Sequence, residues 1–308
     1  MKAVQFSRFG GPEVLEIVEL PDPSPGPGQV RIRVYAAGIS ATDPKLRSGA
    51  IQFGAVSFPQ RTGRDVAGIV DQVGDGVTDV AVGERIFGIA DDGAAAELAL
   101  VTIRALLPAT LGFIDAAALP VALETATRSL DQLDVGAGKS LLINGAAGGV
   151  GSVAVQLAVA RGARVIGTAS PGNHSYLRLL GAEPVSYGEG LAERVRSLSP
   201  NGVDLALNVA GGALPTLIDL AGGPANVVEL ADMTGAKEHN VHFSTGFHGR
   251  AFHALDSIGA LIEQGRFWLT VERTYPLSQI AEAHRTSESG HVRGRLVVVV
   301  DQAHSGNE

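Results

Sequence analysis

Between Gln29 and Tyr35 the chain alternates strictly, with Val30, Ile32 and Val34 on one face, which is the two-residue period of a half-buried strand. The run before it, Pro21-Asp22-Pro23-Ser24-Pro25-Gly26-Pro27-Gly28, fits neither a helix nor a central strand and predicts an irregular approach. Met1 to Gln5 also opens like a strand, and Val66–Val73 and Glu84–Ile89 read as short strands joined through a turn at Asp75-Gly76. Short strands separated by glycine turns predict a small barrel. From about Phe113 the pattern changes. The run Ser140-Leu141-Leu142-Ile143-Asn144 predicts a buried strand. It is followed by a helix over 152–161, a strand over 164–168, a helix over 176–180, a strand over 184–187, a helix over 191–198, a strand over 203–208, a helix over 215–220 and a strand over 225–230. Strands alternating with helices predict a doubly wound parallel sheet. Residues 241–244 offer a sixth strand, with 251–263 as its return helix. After Gly265 the alternation stops: 267–272 and 296–300 are strand-like and flank a helix over 280–286, and these elements are placed back in the amino-terminal barrel. The fold class is α/β, with a discontinuous barrel domain over 1–113 and 266–308 and a nucleotide-type domain over 114–265. The tail from Asp301 is polar and reads as frayed.

A chain of 308 residues exceeds what one core usually supports, in keeping with two domains. Its 45% hydrophobic and 18% charged residues are those of a globular protein. The formal net charge of -8 gives no overall attraction to phosphate backbones or anionic lipid, so nucleic acid is excluded as a partner. No apolar run reaches membrane-spanning length and no signal peptide is visible, so the expectation is a soluble cytoplasmic protein. The absence of cysteine excludes disulfides, thiolate metal ligands and a cysteine nucleophile.

The strongest local signal is Asn144-Gly145-Ala146-Ala147-Gly148-Gly149-Val150-Gly151. Aligned on its last glycine it reads Ala-x-Gly-x-x-Gly, a variant of the dinucleotide fingerprint between a buried strand and a helix. Glycines let the backbone approach a pyrophosphate, and the helix start offers unpaired N–H groups. Ala146, Gly148, Gly149, Val150 and Gly151 are therefore cofactor candidates. Gly138-Lys139-Ser140 imitates the end of a phosphate-binding P-loop. It fails, because Leu133 stands where the first glycine is needed and the tripeptide precedes its strand. The next strand runs into Thr168-Ala169-Ser170-Pro171-Gly172-Asn173-His174 with no acid to bond the ribose hydroxyls, which favours NADPH over NADH. Ser170, Asn173 and His174 are candidate contacts for the 2′-phosphate, and Tyr187 joins them.

The run from Ala117 to Ala126 followed by the glycine loop resembles the zinc-free quinone oxidoreductases of the medium-chain dehydrogenase/reductase family. So do Gly38-Ile39-Ser40-Ala41-Thr42-Asp43 and the closing Ser289 to Val297. The resemblance spans nearly the whole chain. It implies a GroES-like barrel domain, a Rossmann domain and a homodimer. It also implies that Thr125 lies near the nicotinamide, that Ser170 and Tyr187 contact the 2′-phosphate, and that Val209, Ala210 and Ala231 line the nicotinamide side. Ser40 and Asp43 would lie in the loop at the reacting end. Ser40 departs from the asparagine common in such enzymes, and Glu124 stands where a small or apolar residue is usual, with no role assigned.

Zinc-dependent relatives need metal ligands in the barrel domain. All eight histidines lie at His174 or later, and the family's ligand loop reads Gly63-Arg64-Asp65, so no catalytic zinc is expected. A Tyr-x-x-x-Lys pair is absent too. Electron-poor acceptors need least help, so hydride transfer from NADPH to a quinone or conjugated enone is the expected chemistry. Asp43 is the candidate proton donor, with a purely structural loop carboxylate as the competing reading. An enone or specialised-metabolite reductase and a low-turnover NADPH-binding sensor remain alternatives. Substrate loops are expected over 51–59, 234–250 and near Phe267-Trp268. Phe53, Phe58, Phe243, Phe247 and Trp268 there serve either a flat substrate or ordinary packing.

Overall fold

The computed structural model describes residues 1–52, 54–247 and 249–300, so Phe53 and the polar tail from Asp301 lie outside the described residues. The chain forms two compact units, Met1–Val121 with Leu255–Glu308, and Ala122–Ala254.

In the first unit the alternating run becomes the ten-residue strand Val30–Ile39, whose apolar face is fully buried. It pairs antiparallel with Asp65–Val73, which pairs with Arg85–Ala90, which pairs with Leu98–Leu106. Leu98–Leu106 then returns to Val30–Ile39, so these four strands close on one another. Val30, Ile32, Val70, Ile86 and Val101 fill the interior. The far edge of Val30–Ile39 is covered by Arg295–Val299, which carries Val271–Pro276 as a parallel outer strand. The sequence places the last of these at 267–272. In the structure residues 267–270 form no ladder, and pairing starts at Val271, opposite Arg295. The strands Glu16–Glu19 and Gln60–Arg61, which pair with Lys2–Phe6 in a separate small sheet, were not visible in the sequence, because both are short and mostly polar.

The second unit holds a six-stranded, wholly parallel sheet. Numbered within the sheet in chain order, its strands are Ser140–Asn144, Arg164–Thr168, Glu183–Val185, Leu205–Asn208, Val227–Glu229 and His242–Phe243, and they lie in the order 3-2-1-4-5-6. This is the Rossmann arrangement, with its topological switch between the first and fourth strands. Leu142, Ile166, Val195, Ala206 and Leu217 anchor its core. The third strand ends at Val185, two residues short of the predicted end, leaving Tyr187 beyond it and 56% exposed. The helix over 251–263 is Ala254–Glu263, and from Leu255 it belongs to the first unit instead of serving as the return helix of the sixth strand. Its Gly259 lies against Pro108, a barrel-side residue. Met233–Glu238 is helical, so the predicted 234–250 loop begins only after it.

The carboxy-terminal helix Ile280–Glu288 buries His284 completely. Its Nδ1 lies 3.5 Å from Nη1 of Arg47, whose Nε donates to the Gly10 carbonyl at 3.1 Å and whose Nη2 pairs with Glu288. Burial, and secondarily the Arg47 charge, push the imidazole down to about 3 from its ordinary 6.5. The unfolded chain takes up this proton near pH 6.5 and the folded chain only near 3. Stability contributed by the neutral ring is therefore present above pH 6.5 and lost as pH falls through the window between. By linkage the deficit amounts to about 2 kcal/mol at pH 5. Urea unfolding of His284→Gln is expected to show a flatter acid limb than the parent between pH 7 and 5. Parallel limbs would mean that the histidine is not held neutral.

Candidate functional site

The glycine loop leaves the first strand of the parallel sheet at the switch point and runs into the helix Gly149–Ala160. Gly145 takes a left-handed φ of 83°, and its α-carbon faces Ala210, where an added Cβ would come within 2.8 Å of the alanine methyl. Gly151 packs still closer, since a Cβ there would lie 2.1 Å from the Gly145 carbonyl oxygen. Gly148 is different. A Cβ on it would meet only that same carbonyl, at 3.7 Å, so its outer side is open. Ser152 N–H closes the first helical bond onto the Gly148 carbonyl at 2.9 Å. The N–H groups of Gly149, Val150 and Gly151 therefore have no carbonyl partner within the helix. An open glycine beside unpaired helix-start donors suits a bound pyrophosphate. Ala146 is wholly buried against the second strand, with its methyl facing Gly167.

Ser170, Asn173 and His174 come together in one turn. Ser170 precedes the short helical turn Pro171–Asn173, its carbonyl accepts from Asn173 N–H at 2.9 Å, and His174 opens the next helix. The Nε2 of His174 is buried without a hydrogen-bond partner. The third strand lies beside the second, so Tyr187 belongs to the same edge of the sheet. On the other side of the switch point, Val209 N–H donates to the Asn144 carbonyl at 3.0 Å, Ala210 sits against Gly145, and Ala231 sits against Gly211. The later-strand residues thus gather around the glycine loop.

Four polar residues that sequence reasoning passed over underlie this gathering: Asn144, Thr168, Asn208 and Glu229, each the last residue of its strand and each buried. Thr168 Oγ1 donates to Asn144 Oδ1 at 2.7 Å, Asn144 Nδ2 to Asn208 Oδ1 at 2.8 Å, and Asn208 Nδ2 to Glu229 Oε2 at 2.5 Å. Burial pushes the Glu229 carboxyl up, while the N–H groups of Ala231 and Asp232 and the Asn208 amide oppose the shift.

Thr125 lies on the helix Pro120–Gln132, where its hydroxyl donates to Glu124 Oε2 at 3.3 Å. Glu124 acquires a structural role. It accepts from Arg128 Nε at 2.8 Å and from Ala251 N–H at 3.3 Å, and Arg128 in turn donates to Ser244. The buried pair clamps this helix to the 244–251 segment. Its four-residue spacing was the available signal.

In the first unit, Ser40 and Asp43 form one buried knot after the strand Val30–Ile39. Asp43 Oδ2 accepts from Ser40 N–H at 2.7 Å and from Ser40 Oγ at 3.0 Å. Asp43 lies in the first turn of the helix Thr42–Ser48 and borders a pocket of about 290 Å³ lined also by Phe6, Leu46, Arg61 and Arg64. Burial raises its carboxyl despite the Ser40 donors and the charges of Arg295 and Arg64. Asp65, where the resemblance places the metal-ligand loop, is committed elsewhere: it pairs with buried Arg295 and accepts from Val121 N–H at 2.5 Å. Burial outweighs Arg295 and raises its carboxyl to about 6. Of the aromatic candidates, Phe58 packs edge-on against Phe6 and Phe9, while Phe247 and Trp268 are 60% and 43% exposed.

Comparison with known proteins agrees with this architecture. Residues 26–110 match the family model described as alcohol dehydrogenase GroES-like domain, and residues 180–298 match that described as zinc-binding dehydrogenase. Quinone oxidoreductase of Rattus norvegicus is 33% identical over 97% of this chain and 98% of its own length. The chain belongs to the quinone oxidoreductase branch of the medium-chain dehydrogenase/reductase family. Another similar relative, from Arabidopsis thaliana, is a chloroplastic NADPH-dependent alkenal/one oxidoreductase, 31% identical over 97% of this chain and 79% of its own length. The solved quinone oxidoreductase of Coxiella burnetii superposes with a TM-score of 0.85 at 32% identity, covering 98% of this chain and 99% of that one. As a member of this branch the chain is an oxidoreductase acting on a small molecule, built from a GroES-like barrel and a Rossmann sheet. Among the described residues no three His, Cys, Asp or Glu side chains form a group able to hold a metal ion, and no helix is long and apolar enough to cross a membrane.

Proposed function

We propose that the protein is an NADPH-dependent reductase that delivers hydride to a quinone or conjugated enone without zinc. The observation that carries this reading is the open outer side of Gly148 at the start of a twelve-residue helix, at the switch point of a 3-2-1-4-5-6 parallel sheet. The preference for the phosphorylated nucleotide is supported by the second strand and its loop, where no Asp or Glu occurs from Gly162 to Ala182. Ser170 and Asn173 offer neutral donors there instead, with His174 next to them in the same turn. When bound, reduced nicotinamide supplies the hydride. The protein's residues hold and orient: Gly149, Val150 and Gly151 N–H groups take the pyrophosphate, and Val209, Ala210 and Ala231 bound the nicotinamide side.

The proton that completes the reduction is assigned to water or to Asp43, which borders the barrel pocket with its carboxyl shifted up by burial. A quinone or enone becomes more basic at oxygen or carbon as hydride arrives, so a weak donor suffices. Asp65 is engaged by Arg295 and Val121, which agrees with a reaction that needs no metal on this loop. The second reading, reduction of an enone double bond, is favoured by the similarity to an alkenal/one oxidoreductase.

Oxidation of NADPH and NADH, followed by loss of absorbance with a panel of quinones and enones and with chelator present, tests the reading. NADPH turnover that survives chelation is the expected result, and the acceptor used separates the two chemistries. Tight NADPH binding without turnover on any acceptor would point to a sensor. Turnover abolished by the chelator would contradict the metal-free reading.

A further inference from the structure

The four strand-end side chains of the parallel sheet form one directed chain of hydrogen bonds. Gly145 N–H donates to Thr168 Oγ1 at 3.0 Å, and the Thr168 hydroxyl donates in turn to Asn144 Oδ1. Asn144 Nδ2 donates to Asn208 Oδ1, and also to the Gly211 carbonyl at 3.0 Å. Asn208 Oδ1 accepts a second bond from Gly211 N–H at 3.1 Å, and its Nδ2 donates to Glu229 Oε2. Glu229 Oε1 receives the N–H groups of Ala231 and Asp232 at 2.7 and 3.0 Å. The links run in one direction across strands 2, 1, 4 and 5, and end on the single carboxylate of the chain.

Neither amide can be turned around. Flipping Asn208 would set its Nδ2 against the Gly211 N–H, and flipping Asn144 would set its Oδ1 against the Gly211 carbonyl. Each link therefore fixes the next, and in a buried setting a reversed link leaves donors facing donors. The backbone atoms held along the way are Gly145, Gly211, Ala231 and Asp232, which lie in the loops after strands 1, 4 and 5. Thr168 closes strand 2, immediately before Ala169 and Ser170. These are the loops at the carboxyl ends of the strands, where a doubly wound sheet binds its ligand. Yet the four side chains are themselves buried beneath the loops.

We infer that Thr168, Asn144, Asn208 and Glu229 are positioning residues that set the nucleotide-binding loops in register through a hydrogen-bond chain terminated by the Glu229 carboxylate. The inference rests on the proposed NADPH reading. It assigns function to a group buried beneath the loops: the carboxylate accepts the last link together with the Ala231 and Asp232 N–H groups, and so joins the loop after strand 5 to the links that the Gly145 and Gly211 backbone groups orient.

Glu229→Gln is the direct test. Both Glu229 oxygens accept, so one amide N–H2 must face a donor. The NADPH dissociation constant measured by calorimetry is expected to rise at least about tenfold, and KM for NADPH with it, while KM for the acceptor stays near the parent value. Adding Asn208→Asp restores the pairing with one link reversed: Gln Nε2 donates to the aspartate, whose other oxygen still accepts from Asn144 and Gly211. The double variant is expected to return to within about threefold of the parent affinity. A Glu229→Gln protein that melts lower but binds NADPH as the parent does would overturn the inference, and so would a double variant no better than the single. If Glu229→Gln does not fold, Thr168→Val breaks the chain at its other end with little change of shape. Weakened NADPH binding is expected there too, and parent-like binding would overturn the inference. A parent protein that binds neither NADPH nor NADH would instead bring down the proposed function itself, and the inference with it.

Discussion

Gly148→Val is expected to abolish measurable NADPH retention, by at least about a hundredfold in dissociation constant, while leaving the melting temperature of the free protein close to the parent value. Gly148 has φ and ψ of -78° and 179°, extended values open to any residue, so valine brings no backbone strain. An added Cβ meets the Gly145 carbonyl at an ordinary 3.7 Å and nothing else. The valine methyls would then occupy the open side that the pyrophosphate needs, next to the helix-start N–H groups of Gly149 to Gly151. Gly151→Ala makes the contrasting case three residues on. Its Cβ would lie 2.1 Å from the Gly145 oxygen and 2.8 Å from the Ala146 α-carbon, both backbone atoms, so the loop itself must shift and the fold weakens. Thermal melts with isothermal titration of NADPH separate the two. If Gly148→Val binds NADPH normally, the cradle is not where the pyrophosphate sits.

Arg295→Met should strongly destabilise the barrel unit. Arg295 and Asp65 are both buried, at 4% and 1% exposure, and removal of the arginine leaves the carboxylate with the Val121 N–H as its remaining bonded donor, Asp43 as a neighbouring like charge and Arg64 as a weaker opposing one. Breaking a buried pair from one side costs about 3–5 kcal/mol. Adding Asp65→Asn should recover most of that loss, since a neutral amide still accepts from Val121. Urea unfolding of the three variants checks this, and a single variant within 1 kcal/mol of the parent (about a fivefold change in equilibrium constant) would show the pair to be dispensable. The pH dependence carries a sign. Asp65 titrates at about 6 when folded and near the ordinary carboxylate value when unfolded. Between those values the folded state holds more protons, so this group's contribution is fully present at acid pH and lost as pH rises through about 6. In Arg295→Met the lost cation raises the carboxyl further, and the decline should extend to higher pH.

How far these features could be seen beforehand depended on whether their cause is local. The doubly wound parallel sheet was foreshadowed because most of its strands are short apolar runs that alternate with helices, and the glycine loop because its spacing between a buried strand and a helix is distinctive; the 3-2-1-4-5-6 order came only with the structure. The barrel strand Val30–Ile39 announced itself by alternation. Glu16–Glu19 did not, because its side chains are largely exposed. The third strand was drawn too long because Ser186 and Tyr187 continue its texture while pairing with Arg164–Thr168 stops at Val185. The network from Thr168 to Glu229 was invisible for another reason. Asn144 and Asn208 lie 64 residues apart and meet only because strands 1 and 4 are neighbours across the switch point. A sign was present even so, since four of the predicted strands end at or beside a polar residue.

The barrel is also a matter of timing. Leu98–Leu106 covers one end of an edge of Val30–Ile39, but the Ala36–Ile39 end of that edge stays bare until Arg295–Val299 is made, and Asp65 gains its counter-ion only with that same segment. The parallel sheet, by contrast, draws its strands from one continuous stretch between Ser140 and Phe243. During synthesis the sheet can therefore finish while the barrel, begun first, waits with an open hydrogen-bonding edge and an unanswered buried charge. A ribosome stalled after residue 290 would carry a complete nucleotide domain and an incomplete barrel, the species that a chaperone or protease would meet first.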